Sequence, residues 1–188
     1  MDYIINNEAT LRLSAFLFML SLIFIIELIF PIYVRRIESY KRWIINFSFV
    51  LINTLILRFL FPILAVSFAS ICIKYNIGIF NYFNFNGLFS VIVSFLFLDL
   101  GIWLQHLLFH KVGFLWRFHK IHHSDEEVDF TTGIRFHPIE IIISMIYKFI
   151  LIAIIGPSIA LVIIFEIILN ASSIFNHGNI KIKKKYDL

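Results

Sequence analysis

The feature that most limits how this chain can fold is a set of apolar runs long enough to cross a lipid bilayer. A membrane-spanning helix needs about 20 mainly apolar residues, and residues 11–30, 44–73 and 88–105 approach or exceed that length. Residues 139–175 are too many for one helix, and the sequence Gly-Pro-Ser at 156–158 divides them into two arms, as in a helical hairpin. The pattern predicts an all-α, multi-pass membrane protein with about three spans and a helical hairpin.

The composition agrees with a membrane location and excludes several other classes of protein. The chain is 60% hydrophobic with a mean hydropathy of +0.90, whereas soluble domains are nearer to half apolar. Its net charge of +4 gives no broad basic surface, so we expect no nucleic-acid partner. Cys72 is the only cysteine, which excludes an intrachain disulfide and a CxxC metal site.

Lysine and arginine residues are grouped in the segments that connect the apolar runs. Basic clusters follow the first run, the third run and the hairpin, whereas residues 74–87, after the second run, contain only Lys74. The positive-inside rule places the three clusters in the cytoplasm, with residues 74–87 and the amino terminus outside. The histidine-rich segment and His177 then meet at one cytoplasmic face. The clustered basic residues are Arg35, Arg36, Lys41, Arg42, Lys111, Arg117, Lys120, Arg135, Lys181, Lys183, Lys184 and Lys185.

Histidines are concentrated between residues 106 and 123, at spacings that place them on helix faces. His106 and His110 are four residues apart, and His119, His122 and His123 follow an i, i+3, i+4 pattern. Imidazole is the commonest metal ligand and suits iron, copper, nickel and zinc. Five imidazoles exceed what one tetrahedral zinc ion uses, so the cluster predicts two metal ions rather than five separate interfacial histidines. No HExxH motif occurs, which disfavours a zinc protease.

Four segments within residues 99–180 carry these histidines: DLGIWLQHLLFH, LWRFHKIHHS, TTGIRFHPIE and FNHGNI. Together they resemble the sterol desaturase/fatty acid hydroxylase superfamily, with an HxxxH box, an HxxHH box and an RxHPxE motif in order. The resemblance implies a membrane non-haem diiron oxygenase with a cytoplasmic histidine-rich cap. The metal ligands that it implies are His106, His110, His119, His122, His123 and His177. His137 matches the RxHP motif, where a ligand role and a role in starting the helix at Pro138 are equally open.

The same resemblance implies a division of the chain, cofactors and partners. It divides the chain into N-terminal spans (1–98), an incomplete hydroxylase-like histidine-box domain (99–180) and a basic tail (181–188). Two iron ions would act with O₂ on a lipid substrate, which is hydroxylated or desaturated. Because no flavin or nicotinamide fingerprint occurs, electrons would come from an external donor of the cytochrome b5, ferredoxin or reductase type. The expected location is a bacterial inner membrane or the endoplasmic reticulum, with the histidine cluster facing the cytoplasm.

The sequence departs from the superfamily in its number of histidines. The superfamily carries a further HxxHH box downstream of the HxN segment, but this sequence has seven histidines in total and none after His177. The chain would then be a fragment, an early-terminated product or a degenerate member. The ligand count predicts fewer than two irons per chain and no O₂-dependent product. A non-catalytic membrane remnant and a zinc-dependent membrane hydrolase or zinc-binding protein are the alternative functions.

Acidic residues near the histidine boxes are candidates for a supporting role. Asp99 lies seven residues before His106, so both share one face of the third run. A carboxylate inside a span is costly; this one would accept the second N–H of a ligating imidazole or lock two helices together, and we favour the first. Glu140 follows Pro138 in the first helical turn, where it suits the helix dipole or a structural role near the site. Residues 125–129 include four carboxylates and are expected to form a solvated loop.

Polar residues recur along one face of the second arm of the hairpin. They are spaced by 4, 3 and 4 residues and end at the proposed ligand: Glu166, Asn170, Ser173 and His177. This stripe faces the metals, lines a lipid pocket or forms interhelical hydrogen bonds, and the first interpretation is favoured. Glu27 and Arg58 are further charges within spans, and the sequence assigns neither a partner.

Overall fold

The computed structural model of the protein describes residues 7–34 and 39–181, and these residues are mostly helical. The α-helices, numbered in chain order, are α1 (Glu8–Ile29), α2 (Ser39–Leu60), α3 (Ala65–Lys74), α4 (Ile79–Tyr82), α5 (Leu88–Lys111), α6 (Gly113–His119), α7 (Pro138–Ile155) and α8 (Ile159–Asn176). Two 3-10 turns, His122–Ser124 and Thr132–Ile134, lie between α6 and α7. Among the described residues there is no β-strand, only an isolated antiparallel bridge between Pro31 and Ile180. The predicted all-α fold is confirmed.

Five stretches of the described chain are long and apolar enough to cross a membrane. They are α1, the Ser39–Tyr82 stretch that contains α2 to α4, α5, α7 and α8. This agrees with the prediction of three spans followed by a helical hairpin. The basic residues Arg35 and Arg36 and residues 183–185 lie outside the described residues, as does most of the predicted tail, 181–188.

Proline and glycine residues set the breaks between the helices. Pro62 cannot donate a helical hydrogen bond, and residues 61–64 between α2 and α3 are not helical. Gly156 ends α7 in the left-handed conformation, with a φ of 71°, which glycine adopts without strain. A Cβ on Gly78 would lie 2.4 Å from the backbone nitrogen of Gly156. Glycine at position 78 therefore allows the loop before α4 to pack directly on the hairpin turn.

The larger packed core lies between α3, α5, α7 and α8. Helix α3 contributes the small residues Ala65, Ala69 and Cys72, which are fully buried. Small residues let membrane helices approach closely, because helix association in lipid depends on van der Waals packing. The buried residues of the other three helices are Leu98, Leu151, Ile152, Val162, Ile163 and Phe165. This packing holds α5 against both arms of the hairpin.

A smaller core joins α1 and α2 to the loop that precedes α7. Its buried members are Leu20, Ile23, Phe130 and Ile174. The aromatic rings of Phe24, Trp43 and Phe130 contact one another around it, with centroids 5.2 to 5.8 Å apart. Aromatic contacts at these distances contribute beyond the area that they bury. The two N-terminal helices are thereby fixed beside the segment that follows the histidine-rich stretch.

Candidate metal centre

Six histidines come from three short segments that meet beside the ends of α5 and α8. His106 and His110 lie in the last two turns of α5. One extended residue separates α5 from α6, which ends at His119, and the following 3-10 turn carries His122 and His123. The hairpin supplies the sixth histidine at the C-cap of α8. Neighbouring ring centroids in this histidine cluster are 4.5 to 5.3 Å apart.

The outer ring nitrogens of the cluster approach each other in pairs. The separation between Nε2 atoms is 3.1 Å for His106 and His110, 3.2 Å for His119 and His123, and 2.8 Å for His122 and His177. Metal–nitrogen bonds of about 2.1 Å place two neighbouring ligand atoms on one ion roughly 3 Å apart. Ring nitrogens of His106, His110 and His119 also lie within 4.8 Å of one another. The described donor atoms therefore fit a metal site without rearrangement of the backbone.

The inner ring nitrogens of three histidines have partners that fix the tautomer. The Nδ1–H of His119 donates to Oε1 of Glu140 at 2.8 Å. That of His122 donates to the carbonyl of Arg135 at 3.2 Å, and that of His177 donates to the carbonyl of Ser173 at 2.8 Å. Because a backbone carbonyl can only accept, Nδ1 of His122 and of His177 carries a proton, which leaves Nε2 as the nitrogen that would bind a metal ion. A carboxylate or carbonyl behind the imidazole is the usual arrangement around a metal-binding histidine.

Charge and burial also favour neutral imidazoles in the loop part of the cluster. Burial is the main cause that lowers the pKa of His122 to about 3, and the neighbouring His177, His119 and His123 lower it further. Burial, followed by His119 and His110, also lowers the pKa of His123. Metal ligation requires the neutral form of histidine. These side chains are therefore ready to bind a cation near neutral pH without releasing a proton.

The cluster is closed on one side and open on the other. His119 and His122 are 0% and 1% exposed, whereas His106 and His110 are exposed on the surface of α5. Oε2 of Glu140 is buried beside His119, and within the described part of the chain it has no hydrogen-bond partner. A buried carboxylate oxygen without a donor is costly. Positive charge from a bound cation would offset that cost.

Two sequence candidates lie at the margin of the cluster. Nδ1 of His137 accepts a hydrogen bond from the backbone N–H of Ile139 at 3.1 Å, so this imidazole caps the start of α7. Its ring lies against Phe118, with centroids 5.2 Å apart. Asp99 shares the exposed face of α5 with His106. Its carboxylate has no hydrogen bond or ion pair with any residue in the ranges 7–34 and 39–181.

The polar stripe of α8 divides into parts with different partners. Glu166 is buried, and its carboxylate contacts Nζ of Lys148 at 2.7 Å and a guanidinium nitrogen of Arg12 at 2.9 Å. Asn170 is exposed. Ser173 donates to the carbonyl of Gly133 at 2.7 Å. Glu166, the first member of the stripe, thus makes interhelical ion pairs. Only the last turn, with Ser173 and His177, approaches the histidine cluster.

The acidic segment after the second histidine box is only partly solvated. The side chains of Asp125 and Asp129 are each 2% exposed. The guanidinium of Arg42 donates to both oxygens of Asp125, from Nε at 2.6 Å and from Nη2 at 2.9 Å, and to the carbonyl of Glu127. The indole of Trp43 donates to Asp129 at 2.8 Å. The solvated-loop prediction is wrong for Asp125 and Asp129, because α2 presents a polar face to them, whereas Glu126 is exposed as predicted.

That polar face was not identified from the sequence, although its spacing gives a signal. Arg42, Asn46 and Asn53 follow each other at intervals of four and seven residues, which places them on one side of a helix. The amide nitrogen of Asn46 donates to Thr131 at 2.8 Å and to Asp125 at 3.1 Å. That of Asn53 donates to the carbonyl of residue 136 at 2.9 Å. Amide and guanidinium side chains spaced four and seven residues apart in an apolar run indicate a helix that forms hydrogen bonds with a polar loop.

The hydrogen bonds from α2 keep the Asp125 carboxylate ionised. Burial acts to raise its pKa, but hydrogen bonds from Arg42, Thr132 and Asn46, together with the charge of Arg42, outweigh burial and lower the pKa below its usual value. The loop between the second histidine box and α7 is therefore held by charged and neutral donors. It carries the carbonyl of Arg135 that orients His122.

Comparison with known proteins gives one match. The fatty acid hydroxylase family model matches residues 91–187, more than half of the 188-residue chain. No curated protein matches the chain, and no solved structure matches it. The matched residues include the whole histidine cluster and both arms of the hairpin. The chain therefore belongs to the fatty acid hydroxylase family, within the sterol desaturase/fatty acid hydroxylase superfamily.

Proposed function

We propose that this chain is a membrane oxidoreductase of the hydroxylase/desaturase type that uses non-haem iron to oxidise a C–H bond of a lipid. The observation that carries the proposal is the cluster of six imidazoles, whose Nε2 atoms pair at 2.8 to 3.2 Å. Imidazole suits iron, and iron in such a site supplies the activation of O₂. Family membership supports the reaction class.

The geometry suggests how the histidines would share two ions. His106, His110 and His119 would hold one iron, because their ring nitrogens lie within 4.8 Å of one another. His122 and His177 would hold the second. His123 lies beside His119 and would complete either set. The supporting roles that we assign are Glu140 and Ser173 behind ligands, His137 as a cap and Glu166 in helix packing. Asp99 and Asn170 are exposed, and we assign them no contact with the ligands.

The location of the cluster suits a lipid substrate and a separate electron donor. The open side of the cluster lies on α5, where Trp103 and Leu96 are exposed on the same face as His106. Apart from Asp99, this face is apolar, and it would let a lipid chain lie along the helix towards the histidines. The buried side, formed by the loop before α7, would exclude water. Electrons would then reach the site from a protein in the aqueous phase.

Metal and product analysis of the purified chain in lipid nanodiscs tests this function. Iron that is retained through dialysis and lost from variants of His119 or His122 is the expected result. An O₂-dependent lipid product with a suitable reductase would further support the oxygenase and would contradict the ligand-count prediction of no turnover. Zinc with O₂-independent lipid cleavage would favour a hydrolase. A chain that holds no metal would favour a membrane remnant and would refute the proposal.

The orientation in the membrane is a separate prediction, based on the distribution of Lys and Arg. We expect single cysteines introduced at Ser124 and at Glu126 to react with an impermeant thiol reagent from the cytoplasmic side. A cysteine introduced at Asn84 should react from the opposite side. Both regions offer exposed positions, and the native Cys72 is buried, so its background labelling should be low. Labelling of Asn84 and Ser124 from the same side would contradict the proposed topology.

A further inference from the structure

The segment that follows His177 is bonded to the end of the first span. The side-chain oxygen of Asn179 accepts from the backbone N–H groups of Ile32 and Tyr33, at 3.1 and 3.0 Å. Its amide nitrogen donates to the carbonyl of Tyr33 at 2.8 Å. The backbone adds a contact in the same place, from the N–H of Lys181 to the carbonyl of Phe30 at 2.8 Å. One asparagine thus ties two segments that are 146 residues apart in sequence.

Glu27 completes this contact from inside α1. Its side chain is 1% exposed, and Oε1 accepts the backbone N–H of Asn179 at 2.9 Å. Gly178 lies between His177 and Asn179. A Cβ added at this glycine would lie 3.1 Å from Cγ2 of Ile23. Glycine at this position lets the backbone lie close to α1. The two residues after His177 are therefore both fitted to the first span.

A second contact joins α8 to the start of α1, away from the histidines. Arg12, near the start of α1, pairs with Glu166 of α8 at 2.9 Å, and Lys148 of α7 pairs with the same carboxylate at 2.7 Å. Glu166 lies eleven residues before His177, which is about 16 Å along a helix. This outer contact holds α1 on α8 but lies far from the histidines. It provides a matched comparison for the contact at Asn179.

We propose that Glu27 and Asn179 are positioning residues, which aim the imidazole of His177 at Nε2 of His122 by fixing the end of α8 to the first span. The inference rests on the proposed role of His177 as a metal ligand. The Nδ1 atom of His177 is held by the carbonyl of Ser173 within α8, which sets the tautomer and ring plane. The contacts of Glu27 and Asn179 set where that ring lies relative to His122. The first span lies outside the family match, which covers residues 91–187, so the proposed support comes from a helix that the family model does not include.

Titration of Co²⁺ into the full chain in nanodiscs, followed by visible absorption, tests the proposal. Asn179→Ala and Glu27→Leu should each weaken Co²⁺ binding by about 10–100-fold, as loss of groups behind a metal ligand typically does. Glu27→Gln keeps an oxygen that accepts the Asn179 N–H, so its binding should stay near that of the native chain. If Glu27→Leu does not fold, Glu27→Ala provides the same comparison. In a His177→Ala background, Glu27→Leu should cause no further loss, because coupled residues are non-additive.

Arg12→Met is the matched control, because it breaks the outer contact between α1 and α8. It should lower the melting temperature but leave the Co²⁺ affinity and spectrum unchanged. Equal losses of affinity in Arg12→Met and Glu27→Leu would show that helix packing alone matters and would overturn the positioning role. Native affinity in Asn179→Ala would also overturn it, while leaving the metal site intact. A native chain that binds no Co²⁺ would overturn the metal site, and the positioning role with it.

Discussion

The His119→Ala variant is expected to bind metal at least about 100-fold more weakly than the native chain. Loss of a residue that only supports a ligand costs about 10–100-fold in affinity, and His119 is a proposed ligand. Its ring is fully buried at the centre of the cluster. The other histidine rings that it contacts belong to His106, His110, His122 and His123. Co²⁺ titration in nanodiscs and metal analysis after dialysis both measure the effect.

His119→Ala should weaken metal binding by more than the loss of one ligand nitrogen, because it also removes a hydrogen bond to Glu140. Oε1 of Glu140 would lose the Nδ1–H donor of His119, while its other oxygen already has no hydrogen-bond partner in the described chain. A buried carboxylate without donors is strongly unfavourable. That cost would favour movement of the carboxylate or of the loop, and either change disturbs the ligands that remain.

His137→Ala is the control for this prediction. His137 caps α7 through its ring nitrogen, and loss of a helix cap costs about 1 kcal/mol. The control should therefore be less stable than the native chain but bind Co²⁺ with the same affinity. Equal losses of affinity in the two variants would contradict the separation of ligands from the capping residue. Native affinity in His119→Ala would contradict a common metal site.

Local sequence patterns were sufficient for the all-α fold and for the close approach of the five histidines nearest in sequence, although His122 and His123 lie in a 3-10 turn and not on an α-helix face. Apolar runs near 20 residues specify spans because the bilayer fixes their length. The i, i+3 and i+4 spacings specify a shared helix face, which is where His106 and His110 lie. Both the span lengths and the shared helix face depend only on residues separated by less than about 20 positions in sequence. Such contacts are determined by helix geometry and need no knowledge of tertiary packing.

The supporting contacts could not be predicted because they join residues far apart in the chain. Arg42 and Asp125 are 83 residues apart, and Glu27 and Asn179 are 152 apart. The rule that a charge inside a span needs a partner marked Glu27 as unusual but could not identify that partner. A periodicity argument also placed Asp99 correctly on the face of His106. It could not show that this face is exposed rather than packed against the site.

The Arg42→Ala variant is expected to lose about 3–5 kcal/mol of unfolding free energy, which is the usual cost of breaking a buried ion pair. Arg42 makes two hydrogen bonds to Asp125, and Asp125 is 2% exposed. Without the guanidinium, the buried carboxylate would keep the neutral donors of Asn46 and Thr132 and a longer ion pair with Arg135 at 3.5 Å. Those donors place the expected loss toward the lower end of the range. Denaturant unfolding in mixed micelles, followed by circular dichroism, gives the measurement.

Two further variants separate the charge of Arg42 from its shape. Arg42→Lys keeps the positive charge but cannot make the two parallel hydrogen bonds of a guanidinium, so its stability should lie between those of Arg42→Ala and the native chain. Lys120→Ala removes an exposed basic residue near the cluster. Surface substitutions of this kind usually change stability by about 0.5 kcal/mol or less. A loss in Lys120→Ala as large as that in Arg42→Ala would contradict a specific role for the buried pair.

A double-mutant cycle decides whether the buried pair or the removal of packing causes the loss. Asp125→Ala alone leaves the Arg42 guanidinium with the carbonyl of Glu127 and with carboxylate oxygens of Glu127 and Asp129, each at 3.4 Å. The double variant has neither buried charge of the pair, so its destabilisation should be smaller than the sum of the two single losses. Because the loop carries the carbonyl of Arg135 that orients His122, Co²⁺ affinity should fall with stability in Arg42→Ala and recover partly in the double variant. Additive losses would mean that Arg42 and Asp125 act separately.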